Sequence, residues 1–274
     1  MTVAEDQSPT KFAPVRGVEM AFIDAGGGPV VLLLHGYPFD KSMWREQIEA
    51  LRGAGFRAIA PDLRGFGETR AANEITTMEE MARDAAALLD ELNIEQAAVC
   101  GLSMGGYVAF DFVHLFPDRV QGLVLAGTRA PADNDQEKAA REQQAHTMLR
   151  AGMVPISIAT LPKLLAARTR AEKPNVVKHV RDMITRADPK GAAAAQRGMA
   201  ARRDYSDDLS RIDVPALIIV GREDSIRPVA DAEFMHQRIR SSQLEIIKDA
   251  AHMTNMEQPA VFNDSIVTFL KTVV

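Results

Sequence analysis

Six short apolar runs, at residues 30–34, 58–60, 97–100, 122–126, 216–220 and 244–247, constrain the fold of this chain more than any other feature. Each is too short to be a helix, and nearly every position is apolar, as expected of a strand buried on both faces. Between the runs the period changes. In residues 78–92 the apolar side chains Met81, Ala85, Leu88, Leu89 and Leu92 fall on one helical stripe, and Thr77 with Glu80 predicts a capping box at its start. Residues 259–271 predict a last helix opened by Pro259, with Val261, Ile266, Phe269 and Leu270 as its apolar side chains. Strands that alternate with helices predict an α/β fold, a mostly parallel sheet with helices on both faces.

Ahead of this alternation, residues 15–25 predict one or two edge strands, closed by Gly26-Gly27-Gly28-Pro29. The three glycines precede a strand instead of joining a strand to a helix, so they read as a turn and not as a phosphate cradle. The alternation breaks once. Residues 128–206 hold no strand pattern, only helical patches that Pro155, Pro162, Pro174 and Pro189 divide into short helices, about four in number. A block of that size between two strands predicts a helical cap, so that residues 1–127 and 207–274 form the core and 128–206 the cap.

At 274 residues, 46% hydrophobic and 25% charged, the chain can bury a full core. A net charge of −5 argues against a nucleic-acid or anionic-membrane partner. The basic pair Arg202-Arg203, beside Arg197, is followed by Asp204, Asp207 and Asp208 and reads as a solvated face. The first eleven residues lack the basic start and apolar stretch of a signal peptide, and no run approaches the roughly 18 apolar residues of a membrane span. The single cysteine, Cys100, has no partner for an internal disulfide and reads as a small buried apolar residue. The expectation is a cytoplasmic protein.

Gly101-Leu102-Ser103-Met104-Gly105-Gly106 follows the strand at 97–100 and opens a helix over 107–115. Gly-x-Ser-x-Gly between strand and helix is a nucleophile elbow, a turn so tight that Gly101 and Gly105 must lack side chains. It lifts the Ser103 hydroxyl from the carboxyl edge of the sheet, where open α/β sheets bind ligands. A hydroxyl needs a base to take its proton. Among six histidines, His114 and His236 lie in helical patterns and His146 and His179 in the cap, whereas His252 follows a late strand on a loop that can return to that edge. Asp224, just past the strand at 216–220, suits the orienting acid, with its neighbour Glu223 as competitor; Asp249 is too near His252 in sequence. Two backbone N–H groups are predicted to hold a developing oxyanion: that of Met104 and that of Tyr37 in the loop His35-Gly36-Tyr37-Pro38, which His35 braces and Gly36 turns.

His35-Gly36, Asp62-Leu63-Arg64-Gly65-Phe66-Gly67, the elbow, Gly221-Arg222-Glu223-Asp224 and Ala251-His252 together resemble the α/β-hydrolase superfamily. The chain is most similar to its cap-bearing branch of small esterases, enol-lactonases and cofactor-free perhydrolases. That resemblance implies an eight-stranded, mostly parallel sheet, and the same roles for Ser103, Asp224, His252, Tyr37 and Met104. It also makes residues 62–67 a structural turn. Ser103 departs from the Asp nucleophile of dehalogenases and epoxide hydrolases, and from the Cys nucleophile of dienelactone hydrolases.

Asp133, Asp135 and Glu137 lack the glycine and closing acid of a cation loop and read as a solvated cap entrance. Without a His-Glu-x-x-His motif or a Cys/His cluster, no metal or cofactor is expected. Met148, Met153, Met183 and Met199 are read mostly as core filler, some of them also lining an adaptable apolar pocket, and Trp44 as a core anchor. The expectation is a serine hydrolase for small, mainly apolar carboxylic esters, unless Arg129, Arg168 or Arg202 reaches inward to bind charge. Lactone opening, carbon–carbon bond hydrolysis and perhydrolysis are its rivals on the same triad; a non-catalytic ligand receptor is the rival from another class.

Overall fold

The computed structural model describes residues 9–71 and 73–273, so most of the acidic amino-terminal stretch lies outside the described residues. The edge strand β1 (Lys11–Val15) and its inner neighbour β2 (Val18–Gly26) open the chain and pair antiparallel. β3 (Val30–Leu34) follows the glycine turn, then α1 (Arg45–Gly53), β4 (Arg57–Pro61), α2 (Met78–Glu91), β5 (Ala97–Leu102), α3 (Met104–Leu115) and β6 (Val120–Ala126). After five helices, α4 (Asp135–Ala151), α5 (Val154–Leu164), α6 (Ala167–Glu172), α7 (Pro174–Arg186) and α8 (Pro189–Ala200), the sheet resumes with β7 (Ala216–Gly221). Helix α9 (Val229–His236), β8 (Ser242–Ile247), α10 (Thr254–Glu257) and α11 (Pro259–Val273) complete the chain.

Among the described residues the sheet has eight strands in the order β1-β2-β4-β3-β5-β6-β7-β8. The pairs from β4 onward are parallel; only β1–β2 and β2–β4 are antiparallel. β3, β5 and β7 are buried at every position, which explains their unbroken apolar sequence: neither face has water to satisfy. Helices α1 and α11 pack together, as do α2 and α3. Trp44 is fully buried against Phe262, ring centroids 6.2 Å apart.

Local expectations fail in instructive places. Thr77 Oγ1 does accept the Glu80 N–H, but the Glu80 carboxylate accepts from Asn73 Nδ2 instead of returning to the cap. The reciprocal box forms at Asn134 and Glu137, opening α4. The inserted block holds five helices where about four were expected from its prolines. Pro155 and Pro162 both lie within α5; Pro174 and Pro189 do start helices, where a missing N–H costs nothing. No helix among the described residues is long and apolar enough to cross a membrane.

Candidate active site

Gly101 and Gly105 are fixed by close approach. A Cβ on Gly101 would lie 2.2 Å from the Gly105 carbonyl oxygen, and one on Gly105 2.0 Å from that of Leu34. Between them Ser103 sits at φ 56°, ψ −111°, backbone angles that cost a non-glycine residue about 1–3 kcal/mol. The strain is held from both sides: Ser103 N–H donates to Ala126 O at 2.8 Å, and Thr128 Oγ1 donates to Ser103 O at 2.9 Å. The Ser103 hydroxyl itself makes no hydrogen bond among the described residues.

The imidazole of His252 reaches the same strand end, its ring against Gly127 at the tip of β6. Nδ1–H donates to Asp224 Oδ2 at 2.8 Å, and both side chains are buried. A carboxylate only accepts, so Nδ1 carries the proton and Nε2 is left to accept another. Asp224 Oδ1 in turn accepts the N–H groups of Ile226 (2.8 Å) and Arg227 (2.9 Å). Burial works to raise the Asp224 carboxyl; the attraction of His252, its hydrogen bond and the two N–H groups outweigh it, holding the acid below the usual carboxylate range. Glu223 is exposed and Asp249 is exposed beside Arg168, so Asp224 is the carboxylate that meets the ring.

The loop after β3 closes the other side. His35 is buried; Nδ1–H donates to Gly36 O at 2.9 Å, and Nε2 accepts Leu63 N–H at 3.0 Å, tying this loop to the turn at 62–67. Desolvation keeps that ring neutral by lowering its pKa. Beyond it the Tyr37–Pro38 peptide is cis, and the Tyr37 ring meets Phe66 edge-on while its hydroxyl donates to Met148 Sδ at 3.0 Å. The backbone N–H groups of Tyr37 and Met104 donate to no acceptor among the described residues. Asp62 anchors the neighbouring turn, accepting from Lys41 N and Nζ, both at 2.7 Å, and from Glu68 N at 2.8 Å. A cavity of about 450 Å³ between this turn, α1 and α7 is lined by Lys41, Asp62, Glu68 and Met183, but not by Ser103 or His252.

Two contacts have no sequence signal of their own, and a third left one that was misread. The buried Glu257 carboxylate accepts Ala166 N–H (2.7 Å) and Ala251 N–H (2.8 Å), joining the α5–α6 junction to the histidine loop. Leu164 O accepts the N–H groups of His252 (3.1 Å) and Met253 (3.2 Å). The third corrects the expectation of a solvated cap entrance: Asp133 is buried, with its side chain at 0% exposure, and pairs with Arg129 (2.7 Å), Arg202 (2.7 Å) and Arg141. Arg202, read from sequence as solvated, is likewise at 0% exposure, its guanidinium 4.2 Å from the centroid of the Tyr107 ring. Four charges within one short insertion were the available clue, since unlike charges that are buried must be buried together. Cys100 is free and buried, its thiol pushed up by desolvation. Among the described residues no group of three or more His, Cys, Asp or Glu is placed to hold a metal ion.

The sequence model of the alpha/beta hydrolase fold matches residues 29–259. A 3-oxoadipate enol-lactonase of Acinetobacter baylyi is 29% identical over 89% of this chain and 89% of its own length. Among solved structures, a thermophilic esterase from Thermogutta terrifontis superposes with a TM-score of 0.94 at 40% identity, covering 97% of this chain and 99% of that one. The enol-lactonase of Burkholderia xenovorans gives 0.89 at 30%, covering 95% and 100%. A match of that extent, on a sheet of this strand order, makes the chain a member of the α/β-hydrolase family.

Proposed function

We propose that the protein is a serine hydrolase of small, mainly apolar carboxylic esters, with Ser103 as nucleophile, His252 as base and Asp224 as acid. The observation that carries this reading is the buried 2.8 Å Asp224–His252 pair, set at the strand end that also holds Ser103 in its strained turn. In the first step Ser103 Oγ attacks the ester carbonyl carbon while His252 Nε2 takes its proton. The carbonyl oxygen, now negative, is held by the Tyr37 and Met104 N–H groups, which are unspent in the free protein. His252 passes its proton to the departing alkoxide. A water deprotonated by the same ring then attacks the acyl-enzyme and releases the acid, restoring Ser103. Asp224 keeps the proton on Nδ1 throughout and stabilises the imidazolium. The helices of residues 128–206 act as the cap over this site, with Met148 against Tyr37 on its inner side.

The cap arginines support an uncharged substrate. Arg129 is matched by Asp133 and Glu137, Arg168 by Glu172 and Asp249, and Arg202 by Asp133. Lactone opening is the same chemistry with the alcohol still tethered, and the similarity to enol-lactonases favours including lactones among the substrates. A panel of p-nitrophenyl esters with graded acyl chains tests the assignment, together with mass spectrometry after an organophosphonate probe. The expected result is turnover on the shorter chains, one adduct on Ser103, and loss of at least about a thousandfold in kcat in Ser103→Ala. Turnover that survives in that variant refutes the nucleophile.

A further inference from the structure

Arg227 has no carboxylate within ion-pairing distance among the described residues. Its Nε and Nη2 donate to the hydroxyl of Tyr107 at 3.0 and 2.6 Å, and Nη1 donates to its own loop, at Ile226 O (2.7 Å). Tyr107 is itself buried, and its hydroxyl donates to nothing among the described residues. Two guanidinium donors therefore point at an oxygen whose own proton has no acceptor. On the face of the same ring lies the guanidinium of Arg202, 4.2 Å from the centroid.

We propose that Tyr107 is held as a phenolate and that this anion, by gripping Arg227, positions the loop that presents Asp224 to His252. On ionising, the phenol O–H gives its proton to solvent and keeps the electron pair that Arg227 then binds. The surrounding charges favour the exchange. Arg129 and Arg141 stand on the cap side with Arg202, and their carboxylates, Asp133 and Glu137, are spent on them. On the other side Asp224 is committed to His252, while Asp231 of α9 makes no ion pair with Arg227. Burial alone would raise the phenol; Arg227, Arg202 and Arg141, with the hydrogen bond from Arg227, outweigh it and leave it below an ordinary tyrosine. The link to catalysis is short: Arg227 N–H is one of the two that Asp224 Oδ1 accepts. Tyr107 is thus a positioning residue acting through Arg227, four residues along α3 from the nucleophile. This role rests on the triad proposed above, whereas the ionisation does not.

A near-ultraviolet titration separates the two. The chain has three tyrosines, and burial raises both Tyr37 and Tyr205. One phenolate is expected to be present already at pH 7, where a tyrosine with the ordinary value of about 10 is neutral, and to be lost reversibly on acidification. Tyr107→Phe should erase it and lower kcat roughly tenfold with KM within twofold, as loss of alignment does. Arg227→Gln keeps the ring, serves if Tyr107→Phe does not fold, and should move the step upward. Three neutral tyrosines at pH 7 overturn the proposal, as does a step unmoved in Arg227→Gln. Wild-type kcat in Tyr107→Phe overturns its positioning role. Organophosphonate labelling of Ser103 alongside shows which reading fails: an unlabelled Ser103 with the early phenolate intact removes the triad, and a labelled Ser103 without it removes only the phenolate.

Discussion

Replacing Asp133 by Asn takes one negative charge from a place where three guanidinium groups converge and leaves the volume unchanged. Among the described residues Arg202, fully buried, loses its one carboxylate; Arg141 loses its ion-pair partner too, and Arg129 keeps only Glu137. Breaking a buried ion pair from one side costs about 3–5 kcal/mol, because the remaining charge stays buried without compensation. Native proteins are stable by only about 5–15 kcal/mol, so the loss is a large fraction of the whole. For a chain of this size it corresponds to a fall in Tm of roughly 6–20 °C. Chemical denaturation and thermal melting monitored by circular dichroism measure it. Lys178–Asp182, an exposed pair of similar length, is the control: Asp182→Asn should change nothing resolvable. The effect also has a pH signature. The arginines outweigh burial and hold Asp133 well below its unfolded value, so its contribution is complete above about pH 4 and fades as pH falls through the acid range. Wild type and Asp133→Asn should therefore differ most at neutral pH and converge in acid. Equal stability at pH 7 would refute the argument that this cluster depends on a buried carboxylate.

Asp224→Asn tests the hydrogen-bond direction at the ring of the proposed base, His252. Two N–H groups hold Oδ1, so the new NH₂ must face His252 Nδ1, moving the ring proton to Nε2; kcat on a p-nitrophenyl ester should fall by about 10³–10⁴ with the fold intact. Gly105→Ala places a methyl group 2.0 Å from the Leu34 carbonyl oxygen, and should lower the denaturation midpoint and activity together; a variant of wild-type stability and activity would contradict that packing. His35 is buried with its pKa lowered, so the unfolded chain binds its proton first and stability should drop as pH falls below about 6.5. Denaturation at pH 7 and pH 5.5 should show a smaller drop in His35→Gln than in wild type.

The sheet was legible because its central strands are buried on both faces, so that β3, β5 and β7 leave a continuous apolar signature, whereas β8 at the edge, read from the same pattern, is only half-buried. The meeting of Asp224 with His252 was legible for a different reason: both follow strands, and strand order carries them to one edge. What sequence misjudged is where polarity is a poor guide to exposure. Asp133 and Arg202 look solvated because each is charged, and only the fold shows that they neutralise one another across the insertion. Pro155 and Pro162 look like breaks; Pro155 sits in the first turn of α5, and the helix runs past Pro162 until Leu165 turns extended. Glu257 was invisible because its partners are backbone N–H groups, which every residue but proline possesses.

That last carboxylate has a consequence for how such a molecule works in time. Glu257 grips the α5–α6 junction at Ala166 with one oxygen and the segment bearing the imidazole with the other, and Leu164 O adds two more ties to His252 and Met253. Any tilt of α5 or α6 wide enough to admit a molecule must pull on these bonds. In the reaction proposed above, a tilt that admits substrate would then disturb the seating of His252, which is restored when the helices return.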